Sequence, residues 1–190
     1  MLIAILSEKA HQYQSFIQHA LDTGYTISIL THQPEKISLR HPELNVTQGD
    51  LEDTVAIDNL LNKADVVVCL FKRSTTTAVS GIIDGMQHHD IRRLILFSED
   101  HDETYPIQSD GNFLQRVFHH RGEGLSEMDI LRHSDRDWTI LQPGDSDTSI
   151  DTPHHIDISG STLQETKKNF TKLILEQITD ANSIAKVLSI

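Results

Sequence analysis

The sequence predicts an α/β protein in which a doubly wound parallel sheet lies between two helical layers, a three-layer α/β/α arrangement. Three observations carry this. Short apolar runs rich in β-branched residues recur at Leu2–Leu6, Tyr25–Leu30, Leu44–Thr47, Asp65–Phe71, Leu94–Phe97 and Trp138–Leu141, and such runs suit strands buried on both faces. Stretches with apolar residues at helical spacing separate them. Strand and helix alternate, an order that gives right-handed crossovers and a parallel sheet. The 190 residues are read as one domain (1–190), with a small substrate-side portion around 144–190.

The elements follow in order. After the first strand, Phe16, Ile17, Ala20 and Leu21 form one face of a helix over Tyr13–Asp22, and Gly24 turns the chain into the second strand. The third strand runs into "GDLED" (Gly49–Asp53). Val55–Leu61 is a second helix, and the strand after it holds Cys69. Val79, Ile82, Ile83 and Met86 mark a third helix, followed by the fifth strand. Leu125–Leu131 is a further helix, capped by Ser126 or by the turn before it. It feeds the sixth strand.

Two linking segments are long and polar, Glu99–Asp110 and Gly144–Gly160. Both follow strands, and in open α/β sheets ligands sit beyond the carboxyl ends of strands. Both are therefore placed either to cover a pocket or to stand as mobile surface loops. Between them "SDGNFLQRVFHH" sets Phe113 with Val117 and Leu114 with Phe118 at i,i+4, a stripe for the core or a dimer face.

Composition narrows the function. Sixteen Lys and Arg against 28 Asp and Glu leave a net charge of −12. Nonspecific nucleic-acid binding needs clustered cations, and only short pairs such as Lys72-Arg73 and Arg92-Arg93 occur. Cys69 is the single cysteine, so an intramolecular disulfide and a cysteine zinc site are both excluded. Hydrophobic residues make up 37% and mean hydropathy is −0.32. No apolar run reaches membrane-spanning length, and the amino-terminal strand has no basic segment or cleavage site before it. The expectation is a cytoplasmic monomer or homodimer acting on a small molecule, with neither nucleic acid nor membrane as partner.

Four motifs in order carry a resemblance: "GDLED" after the third strand, "ADVVVCL" (Ala64–Leu70), "HDIRRLILFS" (His89–Ser98), and "EMDILRHSDRDWTILQPG" (Glu127–Gly144). Together they resemble the atypical short-chain dehydrogenases of the NmrA-like branch, which includes flavin/biliverdin reductase B. The likeness covers roughly 1–144, with a weaker echo at Lys167–Ile178. It implies a Rossmann-like sheet holding NAD(P) on its first half.

The resemblance also implies a residue layout. The glycine-rich phosphate loop corresponds to "SEKAHQY", where the family's three glycines fall on Ser7, Ala10 and Tyr13. Ser7, Lys9, Ala10, His11 and Gln12 are thereby expected around the cofactor. His32 takes the place of the basic residue after strand two. Asp50 and Leu51 match positions flanking adenine. Leu70 and Phe71 match the nicotinamide-ribose end of strand four, and Ser98 the first of two serines, the second being Glu99. Arg-Pro-Gly reads Gln142-Pro143-Gly144, and no Tyr-x-x-x-Lys pair occurs.

Each of the three glycines has its own mechanical role in such a loop. The first permits a tight turn, the second lets the backbone approach the pyrophosphate, and the third allows close helix–strand packing. Serine at the first position suffices if φ stays negative. Alanine at the second adds one methyl. Tyrosine at the third puts a ring where helix and sheet meet. Glu8 sets a negative charge beside the proposed pyrophosphate, offset in part by Lys9 and His11, while the helix amino terminus stays an anion site through its N–H groups.

Other chemistry is sparse. Twelve histidines include the pairs His88-His89, His119-His120 and His154-His155, but neighbours on a helix or strand point apart and no metalloprotease spacing is present. The sequence assigns no metal site. Ser98, Glu99 and Tyr105 are the nearest candidates for acid–base work, and no catalytic residue is assigned. Two functions remain open. One is an NAD(P)H-linked oxidoreductase of the atypical short-chain class acting on a small aromatic or quinone-like molecule. The other is a non-catalytic Rossmann-like sensor or interaction protein that has lost dinucleotide binding.

Overall fold

The computed structural model describes residues 1–71, 75–98, 126–142 and 163–189, with backbone only at 98, 163–169 and 189. Seven strands form one sheet in the order β3-β2-β1-β4-β5-β6-β7. They are β1 (Leu2–Leu6), β2 (Thr26–Thr31), β3 (Leu44–Gln48), β4 (Val66–Phe71), β5 (Arg93–Ser98), β6 (Asp137–Gln142) and β7 (Lys186–Ser189). Every pairing is parallel. The predicted fold class is the observed one. Five helices flank the described sheet: α1 (Gln14–Asp22), α2 (Thr54–Leu61), α3 (Thr76–His88), α4 (Glu127–His133) and α5 (Leu163–Thr179).

Alternation along the strands divides the core into two. Ala4, Leu6, Val67, Cys69, Phe71, Leu94 and Leu96 pack beneath α2, α3 and α4. Ile3, Ile5, Val66, Val68, Leu70, Ile95 and Phe97 pack beneath α1 and α5. Burying both faces is what makes each central strand continuously apolar.

Helix ends are set locally. Asp53 caps α2 by accepting from the Val55 and Ala56 amides, and Thr75 caps α3 by accepting from Ala78. Ser126 and Asp129 form a reciprocal capping box on α4, fixing the cap between the two alternatives the sequence offered. α1 stops at Gly24, whose φ is +93°. The Gly24 and Tyr25 amides donate back to the Leu21 and Ala20 carbonyls, a closure favouring glycine because an L side chain is strained there.

The sequence showed two elements poorly. β7 was not anticipated, and α5 was visible only as the echo at Lys167–Ile178. The described part of the carboxyl-terminal portion supplies both the sheet's far edge and the helix beside α1. The expectations for Lys72, Arg73, Glu99, Tyr105, the two long loops, the Phe113–Phe118 stripe, His119, His120, His154, His155 and Pro143-Gly144 lie outside the described residues.

Candidate functional site

The strand order reverses at β1, with β2 and β3 on one side and β4 onward on the other. Ligands of open α/β sheets occupy the crevice at this switch point, beyond the carboxyl ends. Here it holds a cleft of about 140 Å³, lined by Glu8, His32, Asp50, Leu51, Glu52, Phe71, Thr75 and Ala78. Sites for drug-sized ligands measure roughly 300–1,000 Å³, so this cleft suits one part of a larger ligand.

Thr31, fully buried at the end of β2, organises the near wall. Its hydroxyl donates to the Glu8 carbonyl at 3.2 Å. Its carbonyl accepts from the Gly49 amide at 3.1 Å. β1, β2 and the loop after β3 are thereby pinned together. On the far wall the Thr75 hydroxyl donates to Glu52 at 2.8 Å while capping α3. Asp50 accepts from the Glu52 amide at 2.9 Å. His32 Nε2 stands 3.8 Å from Asp50 Oδ1 with both side chains well exposed, where such pairs contribute little. Leu51, 4% exposed, gives an apolar floor.

The sequence-derived residues are only partly gathered. His32, Asp50, Leu51 and Phe71 line this cleft. Leu70 does not, because neighbours on a strand face opposite ways; it packs under α1 and α5. Ser98 pairs in register with Phe71 at the ends of β5 and β4. Glu52, Thr75 and Ala78 were missed, and the signal that could have found Thr75 is the helix cap written in "STTTAV".

The segment after β1 is a short 3-10 turn over Ala10–Tyr13 leading straight into α1. None of its residues has positive φ, so the turn has no need of glycine. Ala10 is fully buried, and Lys9 and Gln12 are exposed. The buried Ser7 hydroxyl and His11 Nδ1 have no hydrogen-bond partner among the described residues, and orphaned polar groups of this kind are uncommon in folded proteins. Tyr13 does not enter the cleft. Its ring lies on the opposite face of the sheet, stacked 5.8 Å from Phe170 and edge-on to Phe97 at 6.4 Å.

Charge in the cleft is mainly negative, with Glu8, Asp50 and Glu52 facing one histidine. Burial pushes the Cys69 thiol up, and the Glu8 charge adds to the shift. The thiol is therefore an inert core group.

A sequence-family model described as NAD(P)H-binding matches residues 14–182. The chain belongs to this NAD(P)H-binding family. No curated protein matches it. Solved structures share its fold. A Rossmann-fold NAD(P)-binding family protein from Shigella flexneri is 18% identical, with 99% of this chain and 91% of that one covered and a TM-score of 0.65. A wide-type short-chain dehydrogenase/reductase from Veillonella parvula, solved with NADP, is 17% identical over 99% and 93% at a TM-score of 0.63. An oxidoreductase from Lactococcus lactis is 14% identical over 100% and 90%, also at 0.65. The motif resemblance to atypical short-chain dehydrogenases agrees with all of these.

The residues present fit the NAD(P)H-binding family's ligand best at its adenosine end. Leu51 offers an apolar surface for adenine, and His32 and Asp50 offer polar groups for the ribose. The orphaned Ser7 hydroxyl and His11 Nδ1 are buried beside the turn, and neither residue lines the cleft.

Proposed function

We propose that the protein is an NAD(P)H-linked oxidoreductase of the atypical short-chain class, acting on a small aromatic or quinone-like molecule. The cleft at the β1/β4 switch point, where His32, Asp50 and Leu51 converge, carries this reading. His32, Asp50 and Leu51 hold the adenosine portion, and Ser7, Lys9, Ala10, His11 and Gln12 form the turn beside the diphosphate. Leu70, Phe71 and Ser98 stand toward the nicotinamide end. The dinucleotide, when bound, supplies or accepts a hydride.

Thermal unfolding with NADH and NADPH tests this directly. A ligand at a hundred times its Kd stabilises the folded state by about 2.7 kcal/mol, enough to move the midpoint by several degrees. Quinone-dependent oxidation of the bound nucleotide tests the chemistry. Absence of any shift at millimolar concentration of both nucleotides overturns the reading.

One observation favours a second reading. Three carboxylates line a cleft of about 140 Å³, an unwelcoming seat for a diphosphate. On that reading the protein is a non-catalytic sensor that keeps the family scaffold and has lost the dinucleotide. It binds a smaller uncharged or cationic ligand, and nucleotide-dependent turnover rules it out.

A further inference from the structure

α3 runs from the cleft to the opposite edge of the sheet. Ala78 lines the cleft, and His88, ten residues on, lies about 15 Å along the axis. α3 also lies close against α2. A Cβ built on Gly85 would stand 2.8 Å from Leu61 Cδ1, and one on Gly81 would stand 3.3 Å from Ile57 Cδ1. Glycine at these positions lets the two helices approach, and the approach brings the end of α3 over Asp58 of α2.

Three side chains meet there. His88 Nδ1 is 2.7 Å and His89 Nε2 is 3.0 Å from the same oxygen, Asp58 Oδ1. The ring centroids are 4.8 Å apart. Adjacent residues on a continuing helix would splay, but α3 ends at His88 and His89 is its cap, with φ −98° and ψ 8°. The chain leaves the helical path between them, so both rings turn onto one carboxylate. The three donor atoms lie within 4.8 Å of one another. Hydrogen bonding from His88, more than any other cause, holds the Asp58 carboxyl below its ordinary range.

We propose that Asp58, His88 and His89 form a binding site for a borderline divalent transition ion, of which Zn²⁺ is the reference case, at the edge of the sheet remote from the nucleotide cleft. Two imidazole nitrogens and one carboxylate oxygen are the donors such an ion takes, and three protein ligands leave further positions for water. Bonds of about 2.0–2.1 Å in tetrahedral geometry set donors roughly 3.3 Å apart. The observed N···O distances of 2.7 and 3.0 Å need to widen by roughly half an ångström or less, and the two ring nitrogens, in a donor set spanning 4.8 Å, need to draw together by a rotation of the exposed His88 ring. In the metal-free state the ring nitrogens facing Asp58 carry the protons they donate to it. On ion binding each ring gives up that proton, leaving a neutral tautomer protonated on the nitrogen facing away from the ion, and no electron changes hands. Side-chain exposures of 71% for His88, 19% for His89 and 40% for Asp58 leave the site open to solvent. The ion would staple α2 to α3, and nothing in the site depends on whether a nucleotide binds at the other edge.

The test is calorimetric titration of the chelator-treated full chain with ZnCl₂, beside thermal melts with and without Zn²⁺. Wild type is expected to show a one-to-one site and a raised midpoint. A His88→Gln, His89→Gln double variant loses that site, and Asp58→Asn weakens it at least tenfold. Cu²⁺ titrated in its place shows two-nitrogen hyperfine structure in electron paramagnetic resonance, lost with the histidines. The chain has twelve histidines, so binding elsewhere is the competing outcome. No one-to-one binding in wild type, or binding unchanged in the double variant and in Asp58→Asn, overturns the proposal. His88 is exposed, so His88→Gln alone reads out the site even if the double variant folds poorly.

Discussion

The Tyr13 ring lies 5.8 Å from the ring of Phe170 at an interplanar angle of 29°, joining the start of α1 to α5. The position that the motif resemblance aligns with a family glycine holds an aromatic bridge between two helices of one layer. Tyr13 therefore has a structural role of its own. Replacing it with the family's glycine should not restore nucleotide affinity, because the ring lies outside the cleft. Tyr13→Ala is expected to lower unfolding free energy by about 2 kcal/mol, from lost burial and ring contacts. Urea denaturation measures this, and an unchanged midpoint would show the bridge to be unimportant.

Glu8 sets its charge beside the cleft wall. Glu8→Gln removes one of three carboxylates lining the cleft, so NADH and NADPH should bind a few-fold tighter. The gain should shrink as salt rises, since partly exposed charges are screened. Fluorescence titration at low and high ionic strength gives both numbers. Equal affinity in variant and wild type would place the diphosphate away from Glu8.

Arg93 fastens the carboxyl-terminal segment to the sheet. Its guanidinium donates to the carbonyls of Gln177 and Asp137, to the Thr139 hydroxyl and to the Ser183 hydroxyl. Burial is the largest influence on its pKa and lowers it, so the charge is held by these acceptors. Arg93→Met leaves them unpaired, and a loss of about 3 kcal/mol follows. Hydrogen exchange should show faster opening of β7 and the end of α5 than of β1. Uniform acceleration across the sheet would contradict the fastening role.

The α4 capping box makes a pH-dependent contribution. Hydrogen bonding from the Ser126 side chain is the main cause holding the Asp129 carboxyl below its ordinary range. A lowered folded pKa means the unfolded state takes up the proton first. The contribution is complete above the unfolded pKa of about 3.9 and is lost as pH falls through the folded value. Ser126→Ala should cost about 1 kcal/mol at neutral pH, with the gap to wild type closing in acid. Melts from pH 7 to pH 3 check this, and a gap that widens in acid would refute it.

The strands were legible because burial on both faces leaves runs such as Val66–Phe71 with no polar interruption. β7 was not, since Lys186-Val187-Leu188-Ser189 is a short edge strand with only two apolar residues, and its pairing with β6 is a tertiary event. At the cleft, His32, Asp50 and Leu51 could be placed from the motif order. Thr75 and Ala78 could not, because the start of a later helix reaches back to the rim. The motif order groups Leu70 with Phe71, although strand periodicity sends them to opposite faces. The rule that adjacent histidines diverge holds within a helix and fails at His88-His89, where one stops.

No residue of the turn after β1 has positive φ. Where glycines build such a loop, main-chain amides do the recognising, and sequence changes are barred by backbone strain. No such strain operates here: substitution at the exposed Lys9 or Gln12 carries little conformational penalty, so this corner can be altered one residue at a time.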